Sequence, residues 1–380
     1  MKAAVLEDVR KLRIGDIPDP EPGPRSVVLG VRSVGVCGTD LHIFQGHSNY
    51  RVDPKGRVIP LSEQPQVLGH EFCGEVLEMG REVRNVRVGD LVLCDQGLNC
   101  YSQGRVPVCP YCASGDSHQC AYYQEPGITG LPGAMAEYIA MPGVNCLPVS
   151  EGIPPEQVVM SEPLACVVHA CKRVETSPSR YTFDGPERIR NILITGAGPA
   201  GLLFLQYLRN VKGFAGNILV SDLRDKNLEI AKQFGGTPIN ASRVSLPEAV
   251  QEITQGERIQ YLVEASGSAT VFKQIPGFAT KQATILLYGL GHAGGSLELL
   301  SNILFLEPTL VSTIGASGGL DSGGSPIIYQ QSLEMITTGK VKALPIITHR
   351  YSALEDVHKS FEEDFDKKDY IKGVLSLTCH

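Results

Sequence analysis

Asn191-Ile-Leu-Ile-Thr-Gly-Ala-Gly-Pro-Ala-Gly201 is the stretch that decides the fold. A five-residue run with an apolar centre, residues 191–195, is followed by glycines in the spacing G-x-G-x-x-G and then by an apolar helical run to Leu208. This order predicts a strand, a tight turn and a helix, in which the glycines let the backbone approach a pyrophosphate at the N-terminus of the helix. The predicted cofactor-binding residues of this turn are Gly196, Gly198, Pro199, Ala200 and Gly201.

A second predicted strand, residues 218–221, ends in Asp222. A carboxylate at the end of this strand accepts the hydroxyls of the adenosine ribose and repels a 2′-phosphate. The sequence therefore favours NAD over NADP. Arg224 keeps NADP open as an alternative, because an arginine near this position accepts the phosphate.

Predicted strands and helices continue to alternate up to residue 314, which indicates right-handed crossovers in a six-stranded parallel sheet. The chain before residue 95 differs, since short strands such as residues 26–34 and 75–79 are separated by proline and glycine. This pattern is typical of a β-rich, barrel-like domain. The predicted fold class is α/β, with a doubly wound Rossmann domain and a separate β-rich domain.

Composition limits the kind of partner. The 380 residues are 42% hydrophobic and carry a formal charge of −7, without a run of Lys or Arg. Nucleic acid and anionic membranes are therefore not expected as partners, and small molecules are. Because the sequence shows neither an apolar signal core nor a run of about 20 apolar residues, we expect a cytoplasmic protein.

Three ligand types that suit zinc occur beside glycine, in Cys37-Gly38 and in Gly69-His70-Glu71. Together with Glu162 further along the chain, they predict a catalytic metal site. The 11 cysteines favour metal ligands and buried thiols over a disulfide framework, since no secretion signal is visible.

A second metal site is predicted from clustered cysteines. Two residues separate Cys109 from Cys112, and seven separate Cys112 from Cys120, a spacing that turns thiolates onto one ion. Cys100 would be the fourth ligand of a closed, structural zinc site, with Cys94 as its substitute. The alternative is that this lobe holds no zinc.

The order of these motifs resembles the zinc-dependent medium-chain alcohol dehydrogenase family. Gly69-His70-Glu71 is followed by Gly74, Gly80, Val83 and Val88-Gly89-Asp90, and residues 36–42 read Val-Cys-Gly-Thr-Asp-Leu-His. These residues are similar to the polyol (sorbitol) and threonine dehydrogenase branch. That branch has a glutamate where alcohol dehydrogenases proper have a cysteine ligand, and here it is Glu162.

The resemblance implies a GroES-like catalytic domain over residues 1–162 and 318–380 and a Rossmann domain over residues 163–317. It implies that a secondary alcohol of a polyol, sugar or amino alcohol is oxidised, with NAD accepting the hydride. Catalytic zinc would be bound by Cys37, His70 and Glu162 or Glu71, and Glu71 would bind transiently or tune the site from outside. Thr39 would accept the substrate proton and His42 would pass it to solvent. A homo-oligomer, a tetramer or a dimer, is expected.

Several alternatives remain open at this stage. The chain could be an NADP-linked or metal-free reductase of the same superfamily, or a nucleotide-sensing protein without turnover. Cys166 or Cys171 could be the third protein ligand. Residues 46–66, with Arg51, Lys55 and Arg57, could admit a phosphorylated sugar or form a solvated loop. Residues 288–291 and 315–318 would end two strands near the nicotinamide, or form ordinary turns.

Overall fold

The structure is a computed structural model that describes residues 1–290, 295–296 and 298–377. It divides into two compact units, Met1–Ala165 with Gly315–Gly339 and Ile347–His380, and Cys166–Ile314 with Lys340–Ile346. The predicted boundaries lay at residues 162/163 and 317/318. The division falls close to both, and residues 340–346 belong to the second unit.

The strands of the described residues are numbered in chain order. They are β1 (Lys2–Asp8), β2 (Lys11–Asp16), β3 (Ser26–Val36), β4 (Gln66–Val67), β5 (Glu71–Met79), β6 (Leu91–Cys94), β7 (Tyr138–Pro142), β8 (Cys146–Pro148), β9 (Asn191–Thr195), β10 (Asn217–Asp222), β11 (Thr237–Asn240), β12 (Ile259–Glu264), β13 (Ala279–Leu287), β14 (Thr309–Ser312), β15 (Ile347–Tyr351) and β16 (Lys372–Ser376).

The α-helices of the described residues are also numbered in chain order, and most of them lie in the second unit. They are α1 (Gly38–Phe44), α2 (Pro110–Ala113), α3 (Pro155–Val158), α4 (Ser161–Glu175), α5 (Pro199–Gln206), α6 (Asp225–Gln233), α7 (Leu246–Ile253), α8 (Ala269–Phe278), α9 (Glu298–Ile303) and α10 (Ile327–Thr337). Within the described part of the chain, no helix has the length and apolar character needed to cross a bilayer.

The first unit is a predominantly antiparallel structure, as the alternating pattern predicts. Its larger sheet has the order β15-β16-β3-β5-β6-β8, with β7 also paired to β3, and a smaller sheet has the order β2-β1-β4. Strand β3 is long, 11 residues, and all but two of these are buried, because other strands and the core cover it on both sides. It is therefore the central strand on which the candidate metal site is built.

The second unit contains the predicted six-stranded parallel sheet, in the order β11-β10-β9-β12-β13-β14. Strand order reverses between β9 and β12, which is the point where α/β sheets of this type bind ligands. All five residues of β9 are buried, because helices cover both faces of a parallel sheet. The doubly wound Rossmann fold is confirmed.

Two local predictions were wrong. Strand β5 begins at Glu71 and not at residue 75, because residues 71–75 all pair with β3 in an antiparallel ladder, with one register shift between Val31 and Ser33. The charged sequence of residues 354–365 predicts one helix, but the segment forms a 3-10 turn (Leu354–Asp356) and a π-helical turn (Lys359–Asp364). The first correction matters for function, since it places a candidate ligand at the start of a strand.

Candidate active site

The candidate metal ligands come together because three strand ends meet. Gly35 of β3 is paired with Glu71 of β5, and Val36 is paired with Gly373 of β16. Cys37 follows the end of β3, and His70 precedes the start of β5. The register of an antiparallel ladder therefore brings together residues that are more than 30 positions apart in sequence.

Cys37, His70 and Glu71 form the resulting set. One ligand atom from each, the sulfur, a ring nitrogen and a carboxylate oxygen, lies within 4.8 Å of the other two. His70 and Glu71 are buried, 4% and 1% exposed. A sulfur, an imidazole and a carboxylate brought this close together in a largely buried site fit a zinc ion with room for a further ligand.

The charge around His70 also favours a cation. Burial lowers the pKa of His70, but the Asp40 carboxylate and the Cys37 thiol raise it by more, so that the pKa lies well above its usual range. Surroundings that hold a proton on an imidazole would equally stabilise a divalent metal ion.

Asp40 is a site residue that the sequence analysis did not identify. It is fully buried, its Oδ2 accepts the Cys37 N–H at 2.9 Å, and its Oδ1 accepts the Gly69 N–H at 3.1 Å. The same Oδ1 lies 3.3 Å from His70 Nδ1. One carboxylate thus fixes both ligand-bearing segments, a role that carboxylates commonly play behind a metal-bound histidine. The visible signal was an acidic residue three positions after the cysteine, as in a capping box.

Glu71 has a cationic partner that lies 301 positions away in sequence. The Nζ of Lys372, at the start of β16, forms an ion pair with Glu71 Oε2, and Lys372 is only 2% exposed. A Cβ on Gly35 would lie 2.1 Å from the same oxygen, so only glycine at position 35 leaves the Glu71 side chain room to reach the lysine. Glu71 is therefore held between the candidate metal position and a buried cation.

Glu162 lies outside the Cys37 set among the described residues. It is 5% exposed, in the first turn of α4, and its Oε1 accepts a hydrogen bond from Gln96 Nε2 at 2.8 Å. The hydroxyl of Tyr329 donates to the Oε1 of Gln96, which fixes the direction of the amide. Burial, and then the charge of Glu71, raise the pKa of Glu162 to about 7.

Cys166 and Cys171, the alternatives for the third ligand, do not join a ligand set in the described part of the chain. Cys171 is 4% exposed on α4, and burial raises the pKa of its thiol. It behaves as a core side chain.

Thr39 and His42 lie on α1, which begins directly after Cys37. Because they are three residues apart, they share one face of the helix. The pKa of His42 is lowered by burial and then by His47, whose ring centroid is 6.1 Å away. The imidazole is therefore neutral near pH 7 and able to accept a proton.

The four-cysteine set is also compact. Sulfur atoms of Cys100, Cys109, Cys112 and Cys120 all lie within 4.8 Å of one another, and all four residues are buried. Hydrogen bonds from the N–H groups of Cys112 and Ala121 lower the pKa of Cys109 to about 6, which favours the thiolate. Four sulfurs at this separation fit a closed zinc site. Cys94, the proposed substitute for Cys100, instead lies opposite Cys146, with the sulfurs 3.9 Å apart.

The glycine turn has the geometry expected of a phosphate cradle. Gly198 caps α5 without a side-chain hydrogen bond, and a Cβ placed on it would have no heavy atom within 4 Å. By contrast, a Cβ on Gly201 would lie 1.9 Å from the Gly196 carbonyl oxygen, so this glycine allows close packing of helix and turn. The open space lies where backbone N–H groups of the helix start are available to an anion.

Asp222 and Arg224 interact with each other. Asp222 Oδ2 accepts the Ala197 N–H at 2.8 Å, while Oδ1 accepts the Arg224 backbone N–H at 2.9 Å and its Nε at 3.3 Å. The carboxylate thus borders the glycine turn, and it partly neutralises the arginine that kept NADP open as an alternative.

The basic side chains of residues 46–66 are mostly engaged within that segment. Arg57 donates to both oxygens of Glu63, at 2.8 and 2.9 Å, and lies 3.2 Å from Asp53. Arg51 is 3% exposed and donates to the carbonyls of Gln64 and Ile59. These contacts favour a folded loop over a phosphate site.

Of the two predicted strand-end turns near the nicotinamide, residue 291 lies outside the described residues.

Two family models match the chain, the alcohol dehydrogenase GroES-like domain over residues 23–151 and the zinc-binding dehydrogenase over residues 199–339. L-threonine 3-dehydrogenase of Symbiobacterium thermophilum is 30% identical over 370 residues, which cover 95% of each protein. The chain belongs to the zinc-dependent medium-chain dehydrogenases.

Further similarities support this assignment. L-idonate 5-dehydrogenase of Vitis vinifera is 29% identical over 382 residues, 99% of this chain and 94% of that protein. A solved structure from Escherichia coli CFT073, described as a short chain alcohol dehydrogenase with NADH, is 25% identical, covers 99% of both chains and has a TM-score of 0.78. The resemblance to the polyol and threonine branch of the medium-chain dehydrogenases is confirmed. This zinc-type dehydrogenase is an oxidoreductase that acts on alcohols with a nicotinamide cofactor.

Proposed function

We propose that the protein oxidises a secondary alcohol of a polyol, sugar or amino alcohol to the ketone and transfers the hydride to NAD. The observation that carries this proposal is the compact set of half-buried Cys37 and buried His70 and Glu71, at the start of the helix that bears Thr39 and His42. Names of relatives, which include threonine and idonate dehydrogenases, support the substrate class.

Cys37, His70 and Glu71 would hold the catalytic zinc, with Asp40 fixing the cysteine and histidine segments from behind. When bound, the ion supplies Lewis acidity that lowers the pKa of a substrate hydroxyl. Glu162, held by Gln96 in this structure, stays a predicted ligand that would have to leave this hydrogen bond to bind. The four-cysteine set would hold a second, structural zinc.

Thr39 accepts the proton of the substrate hydroxyl and His42 passes it to solvent. The lowered pKa of His42 keeps its ring neutral and available as the acceptor at neutral pH.

The glycine turn and Asp222 would bind NAD. Backbone N–H groups at the start of α5 would hold the pyrophosphate, and the Asp222 carboxylate would accept the ribose hydroxyls. A 2′-phosphate would be repelled by this carboxylate, and Arg224, already hydrogen-bonded to it, is a weaker phosphate ligand than a free arginine. The expected homo-oligomer and cytoplasmic location stay predictions.

Thr39→Val tests the proton path. Loss of the hydroxyl should lower kcat by roughly 100-fold, the lower end of general acid–base effects, with the bound zinc unchanged. Thr39→Ser, which keeps the hydroxyl, is the matched control and should keep most of the rate. An unchanged rate in the valine variant would remove Thr39 from the relay.

A panel of secondary alcohols tests the reaction class. NADH formation on polyols or amino alcohols is expected, with little NADPH formation from NADP. Enone or quinone reduction with NADPH, without metal, would instead favour a metal-free reductase, and nucleotide binding without turnover would favour a sensing protein.

A further inference from the structure

A buried asparagine in the second unit contacts the glycine turn from a neighbouring helix. Asn227 is the third residue of α6, and it is 0% exposed. Its Nδ2 donates to the carbonyl oxygen of Ala197 at 3.0 Å. Ala197 lies between the first two glycines of the turn and is buried as well. Because only the nitrogen of the amide can donate to a carbonyl, this bond fixes which way the Asn227 side chain points.

The other half of the Asn227 amide has no partner. Its Oδ1 is buried and accepts no hydrogen bond from the residues that the structure describes. A buried acceptor without a donor costs stability, and an apolar side chain of similar size would avoid that cost. A buried polar atom of this kind calls for a functional explanation. The bond from Nδ2 to Ala197 is the interaction that an apolar residue at this position could not make.

Ala197 is held from both sides. Its N–H donates to Asp222 Oδ2 at 2.8 Å, and its carbonyl oxygen accepts from Asn227. The first bond fixes the peptide group between Gly196 and Ala197, and the second fixes the peptide group between Ala197 and Gly198. Side chains from the end of β10 and from the first turn of α6 thus hold two successive peptide groups of the glycine turn.

The second of these peptide groups carries the N–H of Gly198. In a planar trans peptide, the carbonyl and the following N–H point in opposite directions. The bond from Asn227 to the Ala197 carbonyl therefore turns the Gly198 N–H away from the Asn227 amide. Within the described part of the chain this N–H has no hydrogen-bond partner, and a Cβ on Gly198 would meet no heavy atom within 4 Å. It is a free donor at the start of α5, where a phosphate group binds.

We propose that Asn227 is a positioning residue for the pyrophosphate of the cofactor. Its own amide is buried, so it acts through the backbone and not by contact with the cofactor. It holds the peptide group between Ala197 and Gly198 in the orientation that presents the Gly198 N–H to a phosphate oxygen. All the contacts that carry this inference lie within the second unit. The inference rests on the proposed dinucleotide site at the glycine turn.

Asn227→Leu removes the amide and keeps the approximate size of the side chain. Two probes separate the parts of the site, because ADP-ribose carries the pyrophosphate without the nicotinamide and adenosine carries neither. The dissociation constant of ADP-ribose should rise roughly tenfold, the effect of weakening one hydrogen bond to a charged group, while that of adenosine stays unchanged. Calorimetric titration of the zinc-loaded enzyme measures both constants.

Two further measurements distinguish positioning of the turn from a role in folding. The Tm of Asn227→Leu should stay near the wild-type value, because the unpaired Oδ1 is removed together with the donor to Ala197. The KM for NAD should rise while kcat changes little. Asn227→Ala should show the same loss of ADP-ribose affinity, and it supplies the measurement if the leucine variant does not fold.

Asn217→Leu is the matched control. Asn217 begins β10, at the opposite end of the strand from Asp222, and its Nδ2 donates to Asn191 Oδ1 at 2.8 Å. This variant also loses an amide hydrogen bond of the parallel sheet, but at the edge away from the strand ends that bind ligands. Its affinities for ADP-ribose and adenosine should be those of the wild type.

Wild-type affinity for ADP-ribose in a folded Asn227 variant would overturn the proposal. An equal loss of adenosine affinity would overturn it too, because the effect would then lie at the ribose, and so would an equal loss in the Asn217 variant. Failure of the wild type itself to bind ADP-ribose or NADH would instead refute the proposed dinucleotide site, so the two failures are distinguishable.

Discussion

Asp40 joins the two segments that carry the metal ligands, through hydrogen bonds to the backbone of Cys37 and Gly69. A single buried carboxylate at this position joins the start of α1 and the start of β5 into one ligand set. Replacing residues that orient metal ligands in this way commonly lowers metal affinity.

Asp40→Asn should therefore lower zinc affinity by about 10- to 100-fold. The amide keeps the shape of the side chain, but it provides only one oxygen and no negative charge beside His70. Competition with a chromophoric chelator measures the affinity. Asp53→Asn, on the 46–66 segment, is a control that should leave the affinity unchanged; a wild-type affinity in Asp40→Asn would contradict this role.

Lys372 and Glu71 are a fully buried ion pair. Burial lowers the pKa of Lys372, and the Glu71 carboxylate raises it by more, so the lysine is charged. Lys372→Met should lower the free energy of unfolding of the metal-free protein by about 3–5 kcal/mol, because it leaves an uncompensated buried carboxylate. The double variant Lys372→Met, Glu71→Gln should recover part of that loss. Urea unfolding measures both, and additive losses would show that the pair is not coupled.

His42 links the site to pH. The pKa of His42 lies below its ordinary value of 6.5, so the ring stays neutral until the pH falls below 6.5. Turnover should fall only at the lower pH where the ring becomes protonated. The acid limb of the kcat profile is therefore expected below pH 6.5. His47→Gln removes one of the two causes and should move this limb upward. A limb that does not respond to the His47 substitution would indicate a different titrating group.

At the scale of elements, two glycines of the glycine turn have different roles, one in leaving space for a ligand and one in close packing. Gly198 has open space where a side chain would be, and Gly201 has none. Gly201→Ala should destabilise the second unit, because the methyl would meet the Gly196 carbonyl. Gly198→Ala should fold normally and weaken NADH binding, because the methyl enters the space above the helix start.

Thermal unfolding and NADH titration of both variants test this contrast. The expected pattern is a lowered Tm for Gly201→Ala and a near-normal Tm with a raised dissociation constant for Gly198→Ala. Normal NADH binding by a folded Gly198→Ala variant would place the pyrophosphate elsewhere.

Elements whose signal is local were predictable from the sequence. Strand β9 has the predicted limits, and Asp222 ends β10, because an apolar run, a glycine spacing and a terminal carboxylate lie within about 30 residues. The start of β5 was missed, because pairing with β3, and not the pattern of residues 71–75 itself, extends the strand.

The partners of the candidate site residues were not predictable in the same way. Lys372 and Glu71, and likewise Gln96 and Tyr329, meet only because segments far apart in sequence fold together. Neither of these pairs has a local spacing that marks it. Residue types indicated which ligands suit zinc, but not that Gln96 would hold Glu162 outside the compact set.

At the scale of the whole molecule, the last part of the described chain completes the first unit. Strand β16 pairs with β3, and Tyr351, Phe361 and Leu375 are part of the core that contains the residues of β3 and β5. The ring of Phe361 stacks on Phe44 of α1, with centroids 5.1 Å apart. Helix α1, which bears the proposed proton relay, thus packs against a residue more than 300 positions later in the sequence.

Metal content per chain, measured together with NADH formation from a secondary alcohol, tests the central claim most directly. We predict two zinc ions per chain in active enzyme. Cys37→Ser should hold one and lose turnover, while Cys94→Ser, which changes a buried cysteine outside both ligand sets, should hold two and keep it. Full turnover by metal-free protein would contradict the zinc-dependent mechanism and the assignment of Cys37, His70 and Glu71 as its centre.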